Sequence, residues 1–172
     1  IPHLTNCLCG LTRPNFFSGV LAVVLKLFLQ VKPDFAVFGK KDYQQFLVVS
    51  ALAEALDIGT QVIGIETIRE ENGLAMSSRN NYFTAEDRAH AGFIYQELLQ
   101  FKARFLTLAI EENLNITKES LLKKGIEKLD YLEVRSGKDL LPVTDSQTGR
   151  KPVLFFAGFF KGVRLIDNIE LF

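Results

Sequence analysis

Tryptophan is absent from these 172 residues, methionine occurs once, and cysteine and histidine occur twice each. Two histidines leave little for a serine or cysteine triad. His3 sits at the start of the chain, and His90 falls inside a predicted amphipathic helix where nothing nearby needs a base. Cys7 and Cys9 are one residue apart, whereas metal sites favour C-x2-C or wider pairs with further ligands. No metal site and no disulfide framework is expected, which points to reduced thiols and a cytoplasmic setting. Charge of one sign is missing too. Lys+Arg and Asp+Glu each number 20, and the stretches before and after residue 82 balance separately. That excludes bulk attraction to nucleic acid or an anionic membrane. The best apolar run, Val20 to Leu25, is interrupted by Lys26, and a membrane span needs about 20 such residues. Neither a Walker P-loop nor a G-x-G-x-x-G is present. The chain opens on Ile-Pro-His rather than Met, with no signal peptide after it, and reads as a piece of a longer protein.

Apolar residues are plentiful: 48% of the chain is hydrophobic, with 15 Phe, enough for a core. Residues 18–31 are apolar nearly all round, which predicts a helix buried on most sides, ended by Pro33. Residues 34–39 read as a short buried strand stopping at Gly39, residues 42–57 as a helix, and residues 61–65 as a second strand. Strand, helix, strand at these lengths is a βαβ unit, so the fold class is α/β with a parallel sheet. Asn72-Gly73 marks a turn, followed by a polar loop from Met76 to Asn81. Thr84 with Asp87 resembles a capping box opening a helix of about five turns. Thr117 is expected to cap another helix ending near Lys128. Residues 129–135, 152–159 and 163–169 then read as strands, the last two joined by a Lys161-Gly162 hairpin turn. Residues 136–151 form a long loop. Residues 82–172 thus read as a small α+β domain with antiparallel strands.

Two segments can carry chemistry. In Phe38-Gly39-Lys40-Lys41-Asp42-Tyr43-Gln44-Gln45, a strand ends in glycine, lysines follow, and a helix begins. Glycine, cation and helix N-terminus together suit a phosphate. Asp42 is placed to cap the helix or to accept hydrogen bonds from sugar hydroxyls. In Gly73-Leu74-Ala75-Met76-Ser77-Ser78-Arg79-Asn80, two hydroxyls and a guanidinium in one turn can wrap an anion. The plainer alternatives are a capped turn with solvated lysines and a polar surface loop. Ligands on parallel sheets bind beyond the carboxyl ends of the strands, and both loops follow strands of the proposed sheet.

These residues closely resemble the pantothenate synthetase (pantoate–β-alanine ligase) family. The resemblance rests on Arg13-Pro14 with Phe17 and Gly19-Val20, on Val31-Lys32-Pro33-Asp34, on the two segments above, and on Arg164-Leu165-Ile166-Asp167-Asn168. It covers essentially the whole chain. It implies a two-step ligase: ATP and pantoate give pantoyl adenylate and pyrophosphate, and β-alanine then displaces AMP to give pantothenate, a coenzyme A precursor. Magnesium would accompany ATP, with no tightly bound cofactor. Residues 1–81 would be the second half of a Rossmann-like nucleotidylyl-transferase domain, and residues 82–172 a lid hinged near Asn80-Asn81. By the same resemblance Gly39, Lys40, Lys41 and Asp42 would hold ATP, with Lys41 stabilising charge at the α-phosphate and Asp42 fixing the ribose. Gln45 would bind pantoate. Ile68 would line the adenine pocket, and Met76, Ser77, Ser78 and Arg79 would close over the phosphates, Lys41, Ser77 and Arg79 being the catalytic set. A cytoplasmic homodimer is implied for the full-length protein.

The chain departs from the family in four places and lacks its His-x-Gly-His motif. Phe16 and Ser18 stand where the family has a histidine and an arginine, Lys40 where it has a glutamate, and Glu66 where it has a proline. These departures leave other readings open: an inactive or divergent fragment that binds nucleotide, a nucleotidyl-transferase with another acid substrate, or an interaction module docking through helix 18–31.

Overall fold

The computed structural model describes residues 2–145 and 149–172, which pack as two units, Ile1–Glu66 and Thr67–Phe172. Residues 67–81, assigned above to the first domain, therefore pack with residues 82–172. Asn80, the expected hinge, is fully buried, which suits an anchor better than a pivot.

In the first unit two short helices, α1 (Pro2–Thr5) and α2 (Cys9–Thr12), precede the long α3 (Phe16–Val31). Lys32 takes a left-handed conformation and donates its N–H to Phe28 O, and Pro33 prevents continuation. Strands β1 (Phe35–Gly39) and β2 (Gln61–Ile65) pair in parallel, Phe35 opposite Gln61 and Gly39 opposite Ile65, with α4 (Tyr43–Ala55) as the crossover. The βαβ unit is thus present with nearly the expected bounds.

Burial differs from expectation. Phe28 of α3 and Val49 and Ala53 of α4 pack on Ala36, Phe38 and Val62, so both helices serve one face of the sheet. On the other face Phe35 is 62% and Val37 59% exposed. The strand is half-buried, not buried, because no element among the described residues covers that side. Helix α3 likewise buries only Phe17 and Phe28, leaving Val23, Leu27, Leu29 and Val31 exposed. An all-apolar helix is buried only where it has neighbours on every side, and here α4 is its main one.

The second unit holds α5 (Ala85–His90), α6 (Phe93–Arg104), α7 (Ile110–Lys123) and an antiparallel sheet of β3 (Ile126–Ser136), β4 (Pro152–Phe160) and β5 (Val163–Glu170), with β4 central. The β4 strand is buried along nearly its whole length, and Phe156 and Phe160 join Leu98, Phe101, Phe105 and Leu121 in one core. Lys161 and Gly162 both have positive φ, as a tight primed turn requires.

Three expectations are corrected here. The helix from Ala85 has the Thr84 cap, whose Oγ1 accepts the Asp87 N–H at 3.1 Å, but it breaks after His90. At Gly92 a Cβ would lie 2.5 Å from Asn72 O, so the neighbouring turn presses on the backbone there. Thr117 caps nothing: it lies inside α7, fully buried, and accepts from Arg104 NH2 at 3.1 Å. Its helix ends at Lys123 because Gly125 turns the chain with φ +117° into β3. Residues 129–135, whose alternating pattern predicts a regular strand, do not alternate cleanly in β3, since irregularities between Ile126 and Lys128 and between Leu129 and Tyr131 shift its register. Of the expected loop 136–151, residues 146–148 lie outside the described residues. His90 is structural: its ring packs on Phe93 and Phe160, and its Nε2 lies 2.9 Å from Lys124 O.

The exposed residues Val23, Leu27 and Val31 are spaced one helical turn apart, an uncovered apolar stripe of the kind that associates. The 172-residue chain should therefore scatter light as a species heavier than 19.4 kDa. Val23→Lys with Leu27→Lys should bring the mass down towards that of the monomer with the far-UV circular dichroism unchanged. A monomeric unsubstituted chain would contradict this.

Candidate active site

The first candidate segment turns sharply at the end of β1. Residues Lys40–Asp42 form a single 3-10 turn, and α4 starts at Tyr43. Gly39 has φ −72°, and a Cβ built there would meet nothing within 4 Å. Neither backbone conformation nor packing in this chain demands glycine, so the space beside it is open to a ligand. Lys40 is turned to Glu66, with Nζ 2.5 Å from Oε1 and side-chain exposures of 22% and 80%. The two departures from the family thus pair with each other. An exposed pair of this kind is worth about 0–1 kcal/mol. Lys41 is half-buried. Asp42 makes no side-chain cap on α4, so its exposed carboxylate is left for another use. Gln45 is half-buried, one position past a residue to which the sequence assigns no role. That residue, Gln44, is buried, accepts the Cys9 N–H at 3.0 Å, and donates to Leu4 O at 2.8 Å and Cys7 O at 2.9 Å. It holds the strand-end turn to residues 4–9. The adjacent glutamine in the sequence is the only signal for it.

In the same unit, a cavity of about 530 Å³ is lined by Thr5, Asn6, Arg13, Phe16 and Ser18 among others. Both departing residues therefore face one cavity. The Arg13 guanidinium lies 3.7 Å from the Phe16 ring centroid, a cation–π stack.

The second segment is a hairpin whose tip is Glu70–Gly73. Met76 donates to Ile68 O and Glu70 to Leu74 O, and Gly73 donates back to Glu70 O. Gly73 has φ +91°, and a Cβ there would lie 2.8 Å from the Tyr95 ring. Asn72 Nδ2 donates to Arg88 O and Ala89 O at the end of α5. Arg69 forks onto Asp167 of β5 at 2.6 and 2.9 Å and stacks 3.5 Å from the Tyr95 ring centroid. Glu70 faces the other way. Its carboxylate accepts from Arg88 Nε at 2.8 Å, Arg88 NH2 at 2.9 Å, and Asn80 Nδ2 at 2.6 Å. Asn80 Nδ2 also donates to Ala75 O at 3.1 Å, while its buried Oδ1 has no partner among the described residues. Ser77 Oγ accepts the Arg79 N–H at 3.2 Å. Ile68, Met76, Ser78 and Arg79 are exposed, and the Arg79 guanidinium makes no ion pair with another described residue. The arrangement is a rigid base carrying hydroxyls and a cation outward, which is what anion binding needs. No three His, Cys, Asp or Glu side chains among the described residues come together as metal ligands.

A family model for pantoate-beta-alanine ligase matches residues 1–170. The chain belongs to that family. It is 41% identical over 174 residues to a pantothenate synthetase of Shewanella woodyi, covering 98% of this chain and 59% of the relative. It is 43% identical to one from Pseudomonas fluorescens, covering 99% and 60%. The chain therefore spans about 60% of the length of the curated relatives it matches. Among solved structures, a pantothenate synthetase from Thermus thermophilus superposes with a TM-score of 0.89 at 40% identity, over 99% of this chain and 61% of that one. A pantoate-beta-alanine ligase from Francisella tularensis, complexed with beta-gamma ATP and beta-alanine, gives 0.72 at 35% identity, over 98% and 55%. The family's α/β fold is thus shared across the whole of this chain.

Glu70 makes the second segment sensitive to acid. The Arg88 hydrogen bonds hold its carboxyl below the usual glutamate range; burial opposes them and the Asn80 bond assists. A lowered folded value means stabilisation present above the ordinary glutamate pKa of about 4.3 and lost as pH falls through the folded value. Urea midpoints should accordingly fall more between about pH 5 and pH 3 for the unsubstituted protein than for Glu70→Gln, which should be less stable at neutral pH. Parallel curves for the two proteins would contradict this.

Proposed function

We propose that the full-length protein condenses pantoate with β-alanine at the expense of ATP, through a pantoyl adenylate, releasing pyrophosphate and AMP. The observation that carries the reading is the Ser77-Ser78-Arg79 turn, presented outward on a bonded hairpin with its guanidinium outside any ion pair among the described residues, in a chain of this family. The Francisella relative crystallised with an ATP compound and beta-alanine supports the same substrates. In the first step a pantoate carboxylate oxygen attacks the α-phosphorus and the bond to pyrophosphate breaks. In the second, the β-alanine amine attacks the activated carbonyl and AMP leaves. Both steps need positioning and neutralised phosphate charge more than covalent help.

The roles follow the residues. Gly39 gives the backbone room to approach ATP, and Lys41 stabilises charge growing at the α-phosphate. Lys40 contributes a cation it shares with Glu66. The exposed Asp42 accepts from the ribose hydroxyls, and Gln45 holds pantoate. Ile68 and Met76 supply apolar contact for adenine, while Ser77, Ser78 and Arg79 bind phosphate oxygens. Magnesium arrives with ATP, held mainly by its phosphates and by water. The full-length protein is proposed to act as a cytoplasmic homodimer, and no helix among the described residues is long and apolar enough to cross a membrane.

Lys41→Ala in the full-length protein should lower kcat by about 100- to 1,000-fold and move the melting temperature little. A kcat within a few-fold of the unsubstituted enzyme would remove Lys41 from the catalytic set. The 172-residue chain alone should make no pantothenate, since it spans about 60% of its relatives and carries no His-x-Gly-His to oppose the Lys41 side. Full ATP- and β-alanine-dependent turnover by this chain would overturn that expectation.

A second reading is favoured by the cavity. Phe16 and Ser18 replace two polar or cationic residues on its wall, and Arg13 is drawn onto the Phe16 ring. The acid substrate is then one less polar than pantoate. Pyrophosphate release measured with a series of hydroxy acids separates the two readings: preference for pantoate supports the first, and preference for a more apolar acid the second.

A further inference from the structure

We infer that Glu70 is a positioning residue for the Ser77-Ser78-Arg79 turn, acting through Asn80; this rests on the reading of that turn as an ATP phosphate site. Residues 69 and 70 stand in an extended segment, bridged across the hairpin from Arg69 to Ala75. Successive side chains on such a segment leave on opposite faces. Arg69 goes to Asp167 and Tyr95, anchoring the hairpin to β5 and α6. Glu70 goes to Arg88 and Asn80. Its two oxygens are divided: Arg88 Nε takes Oε2, while Arg88 NH2 and Asn80 Nδ2 share Oε1. Arg88 thereby orients the carboxylate, and the carboxylate fixes Asn80.

Asn80 is the residue next to Arg79, and its N–H donates to Ser77 O at 3.0 Å. With its side chain bonded to Glu70 and Ala75, both ends of the exposed turn are set. The Arg79 N–H bond to Ser77 Oγ holds the turn in between. No ion pair among the described residues fixes the outward side chain of Arg79, so its aim depends on the backbone that Asn80 holds. The core of the second unit centres on Phe101, Phe156, Phe160 and Leu121 and includes Leu74 of the hairpin, so the test must separate a loss of stability from a loss of aim.

The test uses the full-length protein with Glu70→Ala, Asn80→Ala, and the exchanged pair Glu70→Arg/Arg88→Glu. Exchange of the backbone amides of residues 76–80, read without substrate, should quicken at least tenfold in the first two variants. With ATP and pantoate, kcat/KM for ATP should fall about 100-fold in both, the scale expected for a misplaced group, and KM for pantoate should stay within about twofold. Combining the two substitutions should cost no more than either alone, because they cut one tether. The exchanged pair restores an ion pair but leaves Asn80 without its acceptor. It should recover melting temperature and not turnover. Recovery of turnover along with stability would reduce Glu70 to a structural role and overturn the inference, as would unchanged exchange at 76–80 in Glu70→Ala. Should Glu70→Ala not fold, Asn80→Ala cuts the same tether and decides alone. An unsubstituted protein that releases no pyrophosphate overturns the proposed activity, and the exchange measurement still decides the tether.

Discussion

Two adjacent side chains of opposite charge, Arg69 and Glu70, leave one extended backbone on opposite faces, and each finds a forked partner. The geometry of the second unit around the candidate site depends on that alternation. Bidentate pairs constrain angle as well as distance, so the hairpin is fixed both to the sheet, through Asp167, and to α5, through Arg88. Asp167 is only 4% exposed and Arg69 17%. Burying such a pair gains little net stability, because desolvation offsets attraction, but removing one partner strands a charge and costs about 3–5 kcal/mol. The pairs therefore specify a geometry more than they add stability. What they specify is the base of the Ser77-Ser78-Arg79 turn. The closing Arg164–Asn168 segment, distant in sequence, has its use here as well: its Asp167 is the anchor.

The first unit is organised differently. Its parallel sheet has two strands with helices on one face, whereas parallel sheets are ordinarily covered on both. Phe35 and Val37 on the open face, and the Val23–Leu27–Val31 stripe of α3, carry the composition of buried surface without the burial. A further layer of polypeptide, from a longer chain or a second copy, would satisfy them. The relatives are long enough to supply it, since this chain spans about 60% of their length.

Departures from the family pattern are not scattered. Lys40 and Glu66 face each other across neighbouring strand ends, so the exchange of charge at one position is answered at the other. Phe16 and Ser18 share a cavity with Arg13. A local charge swap leaves the turn intact, whereas an aromatic ring under a guanidinium changes what the cavity can bind.

Local chemistry is legible in the residues. Strand, helix and strand over 35–65, the Thr84 cap, the Lys161-Gly162 turn and both candidate loops follow from period, capping and turn preferences, all of which act within a few residues. Burial of α3 and β1 is misjudged because an apolar pattern states what a surface prefers, not whether a neighbour is there to cover it. The break at Gly92 is invisible because it comes from Asn72, remote in sequence. Thr117 misleads because a threonine that caps and one buried against Arg104 look alike along a chain. Gln44, Asn80, Asp167 and Glu70 can be named in the sequence but not given partners. Those partners lie 37, 5, 98 and 18 residues away, and for three of the four only the folded chain brings them within reach. Sequence alone determined which short segments combine glycine, hydroxyls and cations; tertiary packing decided which of their side chains are held rigid and which are left facing outward, because hydrogen bonds act over a few ångströms and sequence separation does not measure distance.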